Sequence, residues 1–408
     1  MGVKRAVPGS RGPTGGLAEC SHQPGGRMGD RGRQPSLIAL FLLGIVAFTS
    51  PGLAQTPPEV VLVGATSGCE ECSIGVTRTL ELEAGPGALG FSDAVMGYSA
   101  GSAGFVVVDQ VALPERFILF SSRGELIGEV GGSGDGPGEF LAATQILPSE
   151  GDSLLLHDMR RRAVSVFDGD HTFARRFLLP ANPGITGGWP AILRFADGGI
   201  VMNAALGSVE GVGLPLHFVD AEGTVTRSVG SGPPSVSSHG HPTQARVLAF
   251  ASPSTFWAAH GSRYEIELWD REGALVKSLR REVDWFPPLE EGQAPSLIGP
   301  GVQGLFQDAG GLLWVLIRVP NPDAPGMILP ERERLVQEGR GAMPSRAEAD
   351  RRFDTVIEVI DPETGTLMAT RRLDEYVNVV DSSGLIFTYE ERPTWEGRLV
   401  VWALELRR

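Results

Sequence analysis

Basic residues, cysteines, long apolar runs and catalytic signatures are all scarce in this chain, and each shortage removes a class of function. Lysine and arginine total 35 against 49 aspartates and glutamates, a formal charge of -14 over 408 residues. Affinity for nucleic acid or an anionic bilayer rests on cations that neutralise phosphate, so no polynucleotide partner is expected. Cationic partners or metal ions are favoured, although an acidic surface also serves solubility alone. There is no HExxH, Walker loop, helix-opening GxGxxG or CxxCH, so the short signatures of zinc, nucleotide and haem chemistry are missing. A Ser, His and Asp trio drawn from distant segments stays open, but nothing points to one.

The uncharged run Ser36 to Phe48, SLIALFLLGIVAF, is thirteen residues long, short of the roughly 20 needed to span a bilayer. Arg31 and Arg33 precede it and SPGLAQ follows. That order reads as a secretory signal with cleavage after Ala54, leaving an exported protein, periplasmic or extracellular, with no stable membrane anchor. Met28 stands just before the two arginines and is read as the start of translation, in which case residues 1–27 are not made. Residues 1–54 hold Lys4, Arg5, Arg11, Arg27, Arg31 and Arg33 against Glu19 and Asp30, so their removal takes the charge from -14 to -18.

Of three cysteines, Cys20 lies in that leader, and Cys69 and Cys72 remain in GCEECS. In an oxidising compartment two nearby thiols form a disulfide, here across a very small loop. A redox dithiol opens a helix, whereas VTRTLEL follows this pair and alternates like a strand. Zinc needs two further ligands that no nearby His or Cys supplies. Residues 55–73 are read as an N-terminal linker carrying this pair.

What the sequence has in plenty is turns, with 55 glycines and 30 prolines, and a repeat. Ser153 to Leu179 reads as three strands joined by short turns, and related units start at Phe105, Ile200 and Thr255, with a fifth ending in DTVIEVIDPETGTLMATRRL from Asp354. A marker aspartate follows the third strand at Asp168, Asp220, Asp270 and Asp361, with Ser121 in its place in the first unit. Most steps are about fifty residues, and a preceding apolar stretch brings each unit to four strands. Four-stranded sheets repeated radially are propeller blades. The expectation is an all-β, six-bladed propeller over 74–408, with an insertion at 320–352 in blade 5. Its sixth blade is completed by pairing the strand from Val76 into the C-terminal sheet, which removes an exposed edge.

Ile127 to Asp168 carries a family resemblance. Gly134, Gly136, Pro137, Gly138 and Phe140, followed by SLLLHDMRRRAVSVFD, resemble the NHL-repeat type of six-bladed propeller, with its GxGPGxF turn and Val-Phe-Asp strand. Ala163 stands where that family has an arginine, and Arg162 lies one residue earlier. The resemblance implies a propeller whose relatives mostly bind other molecules and include a few lyases or hydrolases; fold does not fix function.

In a four-stranded meander, the connection between strands two and three and the one leading to the next blade share an end. The long loops fall there, where binding residues usually sit. They carry the candidates Asp135, Glu139, Arg160, Arg161, Arg162, Trp189, His239, His241, His260, Arg263 and Trp395, beside Trp285 and the insertion. The glutamates and arginines of that insertion stand at helical spacing, as in a short surface helix. Asp135 with Glu139 could hold calcium or simply flank an inter-blade turn, and no EF-type spacing is present. His239 and His241 offer two imidazoles to a metal with no adjacent third ligand. Arg160 to Arg162 suit a carboxylate or phosphate, or pair with Asp135 and Glu139 as a structural cluster. Two functions therefore stand. One is a binding propeller for a protein, peptide, glycan or small molecule; the other is a metal-dependent hydrolase or lyase with calcium or another divalent ion in the axial channel.

Overall fold

The turn after each third strand shows what the marker residue does. Asp220 Oδ1 accepts from Thr224 N at 2.8 Å and Asp270 Oδ1 from Ala274 N at 2.7 Å. Ser121 Oγ accepts from Glu125 N at 3.1 Å in the same place. Three residues after each of these, Gly124, Gly223 and Gly273 take positive φ, which glycine enters without a Cβ penalty. Just before the marker, five blades share a register shift, between Leu119 and Phe120, Val166 and Phe167, Phe218 and Val219, Leu268 and Trp269, and Val359 and Ile360. Such bulges add right-handed twist. These local devices, repeated, give the blades that carry them a common form.

The computed structural model describes residues 58–83, 95–100, 104–109, 116–147, 153–158, 160–179, 191–204, 206–208, 211–213, 215–230, 245–287, 299–323, 349, 351–377, 379–381, 383–390 and 397–408. Among them are six blades of a β-propeller. Blade 1 runs Val95–Ser99, Phe105–Asp109, Arg116–Phe120 and Leu126–Glu129. Blade 2 runs Ala143–Leu147, Leu154–Asp158, Ala163–Phe167 and Phe173–Leu178. Blade 3 runs Ala191–Arg194, Ile200–Asn203, Leu216–Val219 and Val225–Val229. Blade 4 runs Arg246–Ser252, Thr255–His260, Glu265–Asp270 and Leu275–Arg280. Blade 5 runs Gly301–Gln307, Leu313–Pro320, Phe353–Asp361 and Thr366–Leu373. Blade 6 has Val379–Val380, Leu385–Glu390 and Arg398–Arg407.

Middle strands such as Leu154–Asp158 and Ala163–Phe167 are buried along their whole length, as strands covered on both faces must be. The apolar side chains meet at six seams. Phe117 packs with Leu156 between blades 1 and 2, Val164 with Met202 between 2 and 3, and Phe218 with Phe256 between 3 and 4. Trp257 packs with Ile317 between 4 and 5, Trp314 with Ile386 between 5 and 6, and Phe387 with Phe120 between 6 and 1. Each such buried side chain stabilises by roughly 1.5–3 kcal/mol, and the last seam closes the ring.

The N-terminal segment crosses three blades. Glu59–Leu62, inside the range read from sequence as linker, is a strand that pairs in parallel with Leu275–Arg280 at the outer edge of blade 4. The chain then follows the rim of blade 5: Gly64 N donates to Gly365 O at 3.1 Å and Ser67 Oγ to Met368 O at 2.7 Å. Cys69 and Cys72 form a disulfide with Cα atoms 5.3 Å apart. Ser73–Leu82 lies antiparallel to Arg398–Arg407 on the outside of blade 6, with Val76 opposite Leu404.

Candidate functional site

At the long-loop end, the second strand of blades 1 to 4 finishes on a polar side chain, Asp109, Asp158, Asn203 and His260, and that of blade 5 carries Arg318 two residues before its end. Each pairs with the first residue of its innermost strand, Val95, Ala143, Ala191, Arg246 and Gly301. The first four are buried, and buried polar groups need partners. Asp158 accepts from Leu141 N at 2.8 Å and Arg161 N at 3.0 Å. Asn203 Oδ1 accepts from Arg246 N at 2.8 Å and so ties blade 3 to blade 4. This collar fixes the roots of the long loops.

The glycine-rich loop between blades 1 and 2 is clamped by two arginines. Arg161 donates to Glu139 O at 3.0 Å and to Gly134 O, and its guanidinium pairs with Asp135. Arg176 donates to Gly136 O at 3.2 Å and to Glu139 O. The Glu139 carboxylate accepts from Gly136 N at 2.7 Å. Arg162 occupies a left-handed turn position with φ 54°, and Arg160 is exposed. Asp135, Glu139 and Arg161 thus hold one another and the turn.

On blade 4, His260 Nε2 lies 3.2 Å from Glu267 Oε1, while Glu267 Oε2 takes Arg246 Nε at 3.1 Å and Trp269 Nε1 at 3.0 Å. Burial alone would raise the Glu267 pKa. The His260 hydrogen bond and the Arg246 charge outweigh it and bring it down to about 2. Burial is the largest influence on His260 and pushes its pKa down, with Arg246 and Arg263 acting the same way and Glu267 opposing them. Arg263 Nη2 also faces the ring, 3.1 Å from Nε2 and 3.3 Å from Nδ1. Arg263 and Trp285 are exposed beside it, at 51% for the Arg263 side chain and 39% for Trp285.

Two further histidines share the burial effect. His157 falls from 6.5 to about 4 by burial, against the pull of Asp158, and burial also lowers His217. Below pH 6.5 the unfolded chain takes these protons first, so the stability they contribute is full above that pH and is lost as pH falls towards 4. For His157 the loss is about 3 kcal/mol. Glu358 and Asp381, raised chiefly by burial, oppose it in part. Denaturant unfolding at pH 7 and pH 4.5 is expected to show this slope, and His157→Leu to flatten it. An unchanged slope in that variant would remove His157 as a source.

A cleft of about 280 Å³ lies between the outer strand of blade 5 and blade 6, lined among others by Arg371, Leu373, Thr388 and Trp402. Among the described residues no three His, Cys, Asp or Glu stand close enough to hold a metal ion, and no helix is long and apolar enough to cross a membrane. Trp189, His239, His241, Trp395 and nearly all of the insertion lie outside the described residues. The collar was missed in the sequence, although a polar residue at or near the end of an apolar strand, as in FVVVD, LLLHD and IVMN, was its visible sign.

No protein-family model matches the chain, and none of the curated proteins is similar to it. Among solved structures, a DUF4221-family member from Bacteroides vulgatus matches with TM-score 0.54 and 10% identity, over 82% of this chain and 99% of that one. A candidate exported protein of Bacteroides fragilis matches with TM-score 0.52 and 10% identity, over 86% and 99%. At that identity the likeness speaks to the fold.

Proposed function

We propose that the chain is an exported binding propeller that takes a protein, peptide, glycan or small-molecule ligand on its long-loop face. The observation that supports this reading is the pair Arg263 and Trp285. Both are exposed there, and Trp285 is braced by Tyr264 at 6.4 Å and Phe286 at 6.0 Å between ring centroids. Exposed Trp and Arg on rigid roots are the side chains that dominate binding energy at interfaces. His260 and Glu267, which could serve acid–base chemistry, are buried in each other's contacts instead.

The test uses protein recovered from the exported fraction, whose first residue is expected to be Gln55. It is offered glycan and peptide arrays, with and without calcium, zinc and manganese. Saturable binding is expected, weakened at least tenfold in the Arg263→Ala/Trp285→Ala variant, on the order of hot-spot truncations, with little change in melting temperature. Metal-dependent turnover indifferent to that variant would replace this reading with the metal-dependent hydrolase or lyase.

A further inference from the structure

In blade 5 the collar position holds a charge with no counter-ion among the described residues. Among the described residues, Arg318 Nη2 donates to Gly299 O at 3.3 Å, and its guanidinium lies 4.8 Å from the Phe353 ring. No carboxylate pairs with it, and its Nε is buried with no acceptor. A buried charge is costly unless paired, and this chain has 49 acidic residues to supply partners. The guanidinium packs against backbone at position 301, where a Cβ would meet Gly261 O at 2.9 Å and Arg318 Nη2 at 3.4 Å.

The innermost strand is distorted at the same level. Val302 pairs with Ile317 and Gly304 with Leu316, so Gln303 is the extra residue of a bulge, a device that re-aims side chains beside functional sites. Gln303 Nε2 donates to Tyr376 OH at 3.0 Å, while its Oε1 is buried without a partner. Tyr376 packs 5.9 Å from Phe353. One donor and one acceptor, both unanswered, therefore flank a pair of aromatic rings.

We propose that Arg318, Gln303, Tyr376 and Phe353 form a site for a small carboxylate bearing a neighbouring hydroxyl or amino group. The carboxylate faces the guanidinium, the neighbouring donor reaches Gln303 Oε1, and the apolar body lies on the rings. Carboxylate fits the single guanidinium better than a phosphate dianion, which calls for a second cation. The inference rests on the binding reading above and names a ligand class for the same face.

The leader-free chain is titrated calorimetrically with L-lactate and D-glucuronate, with propanoate as an acid lacking the donor, and with lactamide and D-glucose as neutral counterparts. At least one hydroxy acid is expected to bind and raise the melting temperature, propanoate to bind on the order of tenfold more weakly, and the neutral compounds not at all. Arg318→Met abolishes binding, and Gln303→Leu brings the hydroxy acid down to the level of propanoate. Without ligand, Arg318→Met keeps or raises the melting temperature, because a half-buried charge with no counter-ion is removed; a structural strut would show a fall. No stabilisation by any acid, binding that survives Arg318→Met, or a fall in that variant's unliganded melting temperature overturns the proposal. If partner binding through Arg263 and Trp285 persists, the carboxylate site alone has failed; if both are lost, the binding reading falls with it.

Discussion

Arg281→Met is expected to lower stability by about 3–5 kcal/mol, because it leaves a buried carboxylate without its counter-charge. The Arg281 and Glu358 side chains are 3% and 1% exposed, with Nε 3.0 Å from Oε2. Nη2 donates to Oε1 at 3.1 Å, and Tyr264 OH donates to Oε2. Burial raises the Glu358 pKa even against the Arg281 charge and these hydrogen bonds. Arg281 also donates to Gly64 O and Ala65 O, so the same guanidinium pins the N-terminal segment to the seam between blades 4 and 5. Without it, Glu358 gains stability by protonation, and the deficit should shrink as pH falls and grow as pH rises through the folded-state pKa. Arg281→Met/Glu358→Leu should recover most of the loss, since apolar replacement of a whole buried pair is close to neutral. Denaturant unfolding at pH 5 and pH 8 measures all three proteins. A single variant within 1 kcal/mol of wild type, or a double variant no better than the single, would show that the pair does not act as a unit.

The blades were legible because their signals are local. The marker aspartates Asp220 and Asp270, the glycines three residues on and the apolar middle strands all lie within one repeat, so a fifty-residue window contains the cause and its effect. What stayed hidden is non-local. Glu59–Leu62 pairs with Lys277 to Arg280, and its sequence EVVL reads equally well as an extended linker. Arg318 and Gln303 do not stand out in sequence because neither strand pattern shows a bulge; the distortion exists only once Ile317 and Leu316 fix the register across from Val302 and Gly304. The loop marks His260 as a candidate, but its surroundings depend on Glu267 and Arg246, which sequence distance does not reveal.

Removing residues 1–83 is expected to abolish cooperative folding, whereas removing 1–72 weakens the protein but leaves it folded. The strand Ser73–Leu82 is the difference. Its Leu82 is 0% exposed and sits with Val107, Ile118 and Phe120 of blade 1 and Phe387 and Val401 of blade 6. Ile74, 4% exposed, joins the seam with Trp314 and Ile357 of blade 5. Losing the strand therefore opens both seams of blade 6 and bares the hydrogen-bonding edge of Arg398–Arg407, a template for pairing with other chains. Two buried leucine-type side chains account for roughly 3–6 kcal/mol, comparable to the whole stability of many domains at about 5–15 kcal/mol, before the lost ladder is counted. The surface ions Arg78, Glu81 and Arg398 add little by comparison, as exposed pairs do. Thermal unfolding of the two truncated chains separates the outcomes, and Leu82→Ala in the full chain should lower stability by about 2–5 kcal/mol. A peptide spanning 73–83 added to the shorter chain should restore a cooperative transition. A shorter chain that melts cooperatively unaided would mean that five blades and a three-stranded sixth hold the ring without the terminal strand.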